Sequence, residues 1–297
     1  MVSLSTYLGV IIVVVAALFS SPPTTETDFR KFLIKSLQKD SNFFESTLRN
    51  PLKSLKHKLS PVQHYSFGCS SFVYYDTNYF VGYKKNWVNL GSVERLKKKI
   101  TSTLKKSSSE EFSNLFIGAN IVVFIFWQFS YTRPFMQRNF LCSMENISSG
   151  RIWCIVLNNI SHQDFFHLMI NMSSFYTFLP VLWSRKSIRY QLPLLMVGSG
   201  LTGTFTSLFY FNIIKGWGHQ HHGASAIISG LTVILALLFP TRTFVVYGFP
   251  VKAMQLLIIQ LLIELYRMAN VQRVGVDFAS HLGGMVFAVT YYNYNYY

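Results

Sequence analysis

The sequence predicts an all-α, polytopic membrane protein: a bundle of six transmembrane helices preceded by a long N-terminal extension. Two observations favour this class. Of the 297 residues, 50% are hydrophobic and only 13% are charged, whereas an ordinary soluble domain has about 25% charged residues. From residue 115 onwards the chain also contains six apolar segments. Backbone polar groups inside a bilayer must be satisfied within their own segment, so each segment is predicted to be a helix.

The N-terminal extension has two parts. Residues 1–23 contain an apolar stretch at 7–19, which is shorter than the about 20 residues that a spanning helix needs. This stretch fits the core of a signal peptide, part of a targeting sequence or a short anchor, and the three alternatives stay open. Residues 24–112 are polar and rich in Lys and Ser. We expect them to form a basic, partly ordered arm or linker, with an amphipathic stretch around 29–37.

The membrane domain is predicted over residues 113–297. Its apolar segments, numbered one to six in chain order, are approximately 115–131, 165–183, 192–214, 223–239, 244–265 and 276–291. Several of them are at the short end of the range for spanning helices, which is typical of a compact bundle that thins the bilayer locally.

The charges in the connections orient this bundle. Lys and Arg are concentrated before segment one and between segments two and three, and such an excess marks the inner side of a membrane. The connections 132–162, 215–222 and 266–275 then lie outside. Segments two, four and six therefore all start at the outer face.

Three polar side chains near these starts indicate a functional site. At about 1.5 Å per residue, His167, Ser225 and His281 fall within about two helical turns of the same surface. A serine hydroxyl becomes a good nucleophile when a base accepts its proton, and histidine is the usual base. Small residues in segments four and six let their helices approach. We therefore predict that Ser225 and His281 form a catalytic dyad.

His167 and Asn171 are four residues apart and share a helix face. Their N–H groups are suited to stabilise the oxyanion that forms when Ser225 attacks a carbonyl. The alternative is that both side chains satisfy nearby backbone carbonyls. The matching depth of Ser225 and His281 favours the catalytic interpretation.

No carboxylate is placed by the sequence to complete a triad. Asp277 precedes His281 by one helical turn but is expected near the interface, where a water-facing role is the simpler interpretation. Glu264 and Lys252, in segment five, are interpreted as interfacial or snorkelling groups. The sequence thus predicts a Ser–His dyad without a cofactor.

A histidine-rich run at residues 219–222 lies in the outer connection before Ser225. Together with His162 and His167 it suggests a zinc site, but no cysteine or carboxylate joins it at ligand spacing. A loop role is favoured, and no metal is predicted. The chain has three cysteines, Cys69, Cys142 and Cys154. They do not have metal-ligand spacing either, and an odd number of cysteines cannot pair completely within one chain.

The net charge of +15 raises the question of nucleic-acid binding. No basic motif interleaved with aromatic residues accompanies this charge, so nucleic acid is not an expected partner. Attraction to anionic lipid and control of topology explain the surplus more simply. The expected partners are the lipid bilayer and a membrane-embedded substrate.

Three short motifs occur in order on segments two, four and six: His162-x4-His167-x3-Asn171, Gly223-x-Ser225 and His281-Leu282-Gly283-Gly284. This ordered set resembles the rhomboid intramembrane serine proteases. The resemblance covers roughly residues 113–297 and implies a rhomboid-like bundle of six helices.

The resemblance implies a role for each motif residue. Ser225 would be the nucleophile and His281 the base, with His167, Asn171 and the backbone N–H of Ser225 as the oxyanion hole. His162 would support the site without taking part in catalysis. Rhomboids cleave transmembrane proteins near the membrane surface without a cofactor, so we expect cleavage of single-span substrates near the outer face.

Residues 149–153 and 249–254 look most like the mitochondrial branch of the family, which implies the mitochondrial inner membrane. The opening segment has no arginine before Arg30 and resembles a secretory signal or anchor, which keeps a secretory-pathway membrane as the alternative; a glycan on the sequons at Asn146 or Asn159 would place that loop in the secretory lumen. Rhomboids usually have glycine after the nucleophile, where this chain has Ala226. The added methyl group is expected to crowd the oxyanion region and to lower or alter activity.

Two other functions are considered. The first is a catalytically weak or inactive rhomboid-fold protein that binds membrane clients for trafficking or degradation. Such proteins typically lack the serine or the histidine, and this chain has both. The second is metal transport or sensing through residues 219–222, which would require stoichiometric zinc.

Overall fold

A computed structural model of the chain describes residues 63–67, 70–75, 78–83, 86–91, 93–246, 248–271 and 277–296. The apolar stretch at 7–19 and the amphipathic stretch at 29–37 lie outside these residues. The chain divides into two compact units, Met1–Lys106 and Ser107–Tyr297, and each is described by itself.

The first unit contains a four-stranded antiparallel sheet that was not predicted from the sequence. Its elements are β1 (Gln63–Phe67), β2 (Ser70–Tyr75), β3 (Asn78–Tyr83), β4 (Asn86–Gly91) and helix α1 (Val93–Lys106). Each strand pairs with the next along the chain. Tyr, Phe and Val are frequent in these strands, and such residues favour β structure. The region expected to be an arm therefore includes ordered secondary structure.

The second unit is mainly helical. Its helices are α2 (Ser109–Gln128), α3 (Arg133–Phe140), α4 (Met144–Ser148), α5 (Cys154–Leu157), α6 (Phe165–Ser184), α7 (Lys186–Arg189), α8 (Leu192–Leu208), α9 (Ser225–Leu238), α10 (Ala253–Ala269) and α11 (Phe278–Tyr296). A 3-10 turn, Asn158–Ile160, follows α5, and a π-helical turn, Phe209–Ile214, extends α8. The predicted boundary between arm and membrane domain, at residues 112 and 113, falls inside α2.

Among the described helices, three are long and apolar enough to cross a membrane: Ser109–Gln128, Phe165–Ser184 and Leu192–Ile214. They correspond to segments one to three. Helix α9 is apolar but has 14 residues, or about 21 Å at 1.5 Å per residue, less than the about 30 Å of a hydrocarbon core. It lies inside the protein, so its length need not match the bilayer.

Segment five, predicted as one helix over 244–265, begins instead with a β-hairpin. Strands β5 (Thr243–Val246) and β6 (Phe249–Lys252) pair with each other, and α10 starts only at Ala253. Gly248 adopts a φ of +86°, which suits a tight turn. Pro250 has no N–H group and does not fit a helix interior. Apolar character alone did not distinguish this strand pair from a helix.

Helix α9 lies at the centre of the second unit. It packs against α6, α8, α10 and α11, and every residue from Ala226 to Ala236 is buried. Small residues make these contacts close. A Cβ added to Gly230 would lie 2.2 Å from Ser199 Oγ, and one added to Gly284 would lie 2.2 Å from the Ala226 carbonyl oxygen. The prediction that small residues let segments four and six approach is confirmed.

The predicted outer loop, 132–162, is built from short helices and buries its two sequon asparagines. Asn146 is 6% exposed and Asn159 is 7% exposed. The Asn146 amide donates two hydrogen bonds of 2.9 Å to backbone carbonyls, and its Oδ1 accepts from Arg151 at 2.9 and 3.1 Å. A buried, hydrogen-bonded amide cannot carry a glycan in the folded protein, so the sequons do not support a secretory location.

Candidate active site

The second unit has a cavity of about 710 Å³. Residues of α6, α9, α10 and α11 line it, together with the histidine-rich run 219–222. All four side chains predicted to take part in catalysis face this cavity: His167, Asn171, Ser225 and His281. That these side chains line one cavity agrees with the common depth in the membrane expected from the distribution of Lys and Arg. Their catalytic roles stay a prediction.

Ser225 is the first residue of α9, and the turn before it is held at two points. The N–H of Gly223 donates to the Asn158 carbonyl at 2.8 Å, and the N–H of Ala224 donates to His162 Nε2 at 3.3 Å. The first N–H groups of a helix lack intrahelical partners, and the helix dipole places partial positive charge there. Ser225 therefore lies where developing negative charge is favoured.

Gly223 allows the chain to pass beside His167. Its φ is +119°, a conformation that side chains rarely tolerate, and a Cβ there would lie 2.7 Å from His167 Cε1. His167 is itself fixed at the start of α6, where Asp164 accepts its backbone N–H at 2.8 Å. Both the backbone conformation and the available space thus require glycine two positions before Ser225.

Asn171 is buried, yet it lines the cavity. Its Nδ2 donates to the His167 carbonyl at 2.8 Å, which is the packing role considered from the sequence. An amide nitrogen has two hydrogens, so one N–H stays available for a bound carbonyl oxygen. The packing and oxyanion roles are therefore compatible.

His281 is buried and hydrogen-bonded to a carboxylate. Its Nδ1 lies 2.8 Å from Oε1 of Glu264, which is 2% exposed. The same oxygen accepts from Arg267 Nη1 at 3.0 Å. An ionised carboxylate only accepts hydrogen bonds, so Nδ1 of His281 carries the hydrogen. Its Nε2 then has a free lone pair, which is the arrangement a general base needs.

The interpretation of Glu264 as an interfacial or snorkelling group was wrong. Helix α10 packs against both α9 and α11 and turns this carboxylate inwards, which the sequence of an almost uniformly apolar helix does not indicate. Lys252, by contrast, is exposed immediately before α10. Within the described part of the chain, the one hydrogen bond of the His281 side chain is to Glu264. The described residues thus show no hydrogen bond between His281 and Ser225. In enzymes without substrate, the bond between the catalytic base and its nucleophile is often long or poorly aligned.

Asp277 was expected to face water, but only 13% of its side chain is exposed. Its Oδ2 lies 3.1 Å from His219 Nε2 and 2.8 Å from His221 Nδ1, and the Ser207 hydroxyl also donates to it. The N–H of Ser280 donates to Oδ1 at 2.9 Å. Burial raises the pKa of Asp277, but the histidine hydrogen bonds outweigh burial and hold the pKa well below its usual range. A carboxylate therefore does join the histidine-rich run, across a separation that motif spacing could not reveal.

His162 is fully buried behind the turn that precedes Ser225. Burial, with smaller contributions from His167 and His222, lowers the pKa of His162 to about 3. The ring is therefore neutral at physiological pH and accepts the Ala224 N–H through Nε2. This arrangement agrees with a supporting role.

The methyl group of Ala226 does not crowd the cavity, contrary to the expectation from the sequence. Ala226 is fully buried, and a Cβ added to Gly203 of α8 would lie 2.4 Å from the Ala226 Cβ. The methyl group thus occupies the space that Gly203 leaves free, on the side of α9 that faces α8.

Comparison with known proteins identifies relatives of this chain. Residues 149–296 match the family model described as Rhomboid domain. RHOMBOID-like protein 12, mitochondrial, of Arabidopsis thaliana is 27% identical over 184 residues, which are 57% of this chain and 54% of that protein. Rhomboid protein 1, mitochondrial, of Saccharomyces cerevisiae is 27% identical over 177 residues, 59% of this chain and 50% of that protein. The chain spans about half the length of these curated relatives.

Proposed function

Because the chain belongs to the rhomboid family and resembles its mitochondrial branch, we propose that it is an intramembrane serine endopeptidase. Its relatives and its membrane-capable helices make it a multi-pass mitochondrial membrane protein. We place it in the inner membrane as a six-helix bundle of α2, α6, α8, α9, α10 and α11, with the cavity near the outer face. The observation that carries the proposal is the hydrogen-bonded pair of His281 and Glu264 in the cavity that Ser225 lines.

In the first half of the reaction, the Ser225 hydroxyl attacks the substrate carbonyl while Nε2 of His281 accepts its proton. Glu264 holds the imidazole in the required tautomer and stabilises the imidazolium that forms. The backbone N–H of Ser225, the second amide hydrogen of Asn171 and the His167 ring stabilise the oxyanion. His281 then protonates the leaving amine. Water then attacks the acyl-enzyme while His281 accepts its proton, and His281 returns that proton to the Ser225 oxygen as the ester bond breaks and the acid product leaves.

The walls of the cavity suit a membrane-embedded substrate. Apolar side chains of α6 and α10 line it, among them Phe166, Ile170, Ile259 and Ile263. The same four side chains are also exposed at the protein surface, so they contact lipid in a bilayer. A single-span substrate would enter between α6 and α10, exchanging lipid contacts for contacts with these side chains, and would unwind near Ser225.

The test is cleavage of a panel of single-span proteins by the full chain in liposomes. We expect Ser225→Ala and His281→Ala to abolish cleavage and Ser173→Ala, at an exposed serine of α6, to preserve it. A fluorophosphonate probe should label the wild-type protein and Ser173→Ala but not Ser225→Ala. Undiminished cleavage by the Ser225 and His281 variants would refute the proposal. An absence of labelling in folded protein would favour a non-catalytic client-binding protein.

A further inference from the structure

We propose that His219, His221 and Asp277 form a binding site for a divalent transition-metal ion, for which Zn²⁺ is the best-suited ion. One ligand atom from each residue lies within 4.8 Å of the other two. This site is separate from the catalytic pair, although both face the same cavity. The proposal does not depend on proteolysis.

Two of the three distances among the ligand atoms are close to those around a tetrahedral ion. With bonds of about 2.1 Å, such an ion places its ligand atoms about 3.4 Å apart. Oδ2 of Asp277 is 3.1 Å from His219 Nε2 and 2.8 Å from His221 Nδ1. These two separations are within a few tenths of an ångström of the tetrahedral value. The two histidine nitrogens lie within 4.8 Å of each other, so binding an ion would bring them closer by up to about 1.4 Å.

The surroundings orient the ligand atoms towards one another. Nε2 of His221 lies 3.4 Å from Ser280 Oγ, so the ring can donate there and present the lone pair of Nδ1 to an ion. Metal-binding histidines usually donate their second ring nitrogen in this way. Ser280 also donates its N–H to Oδ1 of Asp277. Oδ2 accepts from the Ser207 hydroxyl and faces both histidine rings, so it is the oxygen that would bind the ion. The His219 ring packs on Phe211 at 4.4 Å between centroids.

The backbone also holds His221 in place. Its N–H and carbonyl exchange hydrogen bonds of 2.8 and 2.9 Å with Cys142, in an isolated β-bridge. The side chain of His221 is 1% exposed, whereas that of His219 is 18% exposed. The cluster thus has a rigid inner ligand and a more accessible outer ligand, which gives an ion a route from the solvent.

The donor set selects the class of ion. Two imidazoles and one carboxylate suit Zn²⁺ and similar divalent transition metals, whereas Mg²⁺ and Ca²⁺ prefer oxygen ligands. Three protein ligands leave a fourth position for water from the cavity. His222 is not one of the three residues whose ligand atoms lie within 4.8 Å of one another, and its ring packs edge-on against that of His167 at 6.1 Å. It therefore serves as a matched histidine control.

A bound ion would connect the two segments that lead to the proposed catalytic residues. His219 and His221 precede Ser225 on the way into α9, and Asp277 immediately precedes α11, where its carbonyl accepts the His281 N–H at 3.4 Å. Ion binding would thus tie the start of α9 to the start of α11.

The experiment uses the purified full chain with Ser225→Ala, so that binding is measured independently of proteolysis. After treatment with a chelator, the protein is titrated with Zn²⁺ against a competing chelator and with Co²⁺ by visible absorption. We expect about one ion per chain and the intense bands of four-coordinate Co²⁺. His219→Gln and Asp277→Asn should weaken binding by more than the about 10- to 100-fold typical of lost outer-shell partners. His222→Gln should bind as the parent does.

Circular dichroism and gel filtration check that the variants fold, and His219→Gln is the decisive one because its side chain is partly exposed. The proposal is overturned if the parent binds no stoichiometric ion. It is equally overturned if folded His219→Gln binds as tightly as the parent, or if His222→Gln loses as much affinity as His219→Gln.

Discussion

Adding one methyl group at Gly284 should separate the proposed nucleophile from its base. A Cβ at this position would lie 2.2 Å from the Ala226 carbonyl oxygen and 2.9 Å from its carbon, whereas ordinary contact begins near 3.4 Å. Helices α9 and α11 must therefore move apart by roughly 1 Å, and a misplacement of that size can cost about 100-fold in rate. We expect Gly284→Ala to lower the cleavage rate by about this factor and to destabilise the fold by about 1–3 kcal/mol.

The assay compares initial cleavage rates in liposomes with thermal unfolding in detergent. Gly118→Ala is the control, because Gly118 lies in α2 and an added Cβ there meets no atom within 4 Å. This control should keep wild-type activity and gain about 0.5–1 kcal/mol in stability. Wild-type cleavage by folded Gly284→Ala would show that the close contact of α9 and α11 does not position Ser225 and His281.

Three further predictions concern the surroundings of the dyad. Glu264→Gln should lower kcat by about 10- to 100-fold, the rate equivalent of a charge-assisted hydrogen bond of about 1.5–3 kcal/mol. KM should change little, and steady-state kinetics would contradict the role of Glu264 if only KM changed. Ala226→Gly should leave the cleavage rate unchanged, since the methyl group packs on Gly203 and not in the cavity. It should lower the free energy of unfolding by about 1 kcal/mol. A large gain in cleavage rate would show that the Ala226 methyl group does crowd the oxyanion region. The pKa of His162 is about 3 in the folded protein, below its reference value of 6.5. Between these two pH values His162 binds a proton in the unfolded chain but not in the folded one, so the free energy of unfolding falls as pH drops from 6.5 towards 3. His162→Gln should therefore lose less thermal stability than wild type between pH 7.5 and 5, and equal losses would exclude His162 as the source.

The sequence by itself determined where the main helices lie and which residues are candidates for the active site. Apolar length located α2, α6, α8, α9 and α11, because a segment that spans or fills a membrane protein needs a long uninterrupted apolar run. The asymmetric distribution of Lys and Arg placed Ser225 and His281 at one depth before any contact was known. Small residues indicated that their helices pack closely. These properties are local, so they can be read along the chain.

Only the tertiary structure decided which carboxylates hydrogen-bond to which histidines. Glu264 pairs with His281, and Asp277 joins His219 and His221, because the packing of α10 and the loop before α9 sets the directions of these side chains. A helix that is apolar almost all round has no marked inner face in its sequence. The hairpin before α10 and the fit of Ala226 against Gly203 depend likewise on neighbours that are distant along the chain. Side-chain direction and long-range contact arise when helices pack, and the order of residues alone does not specify them.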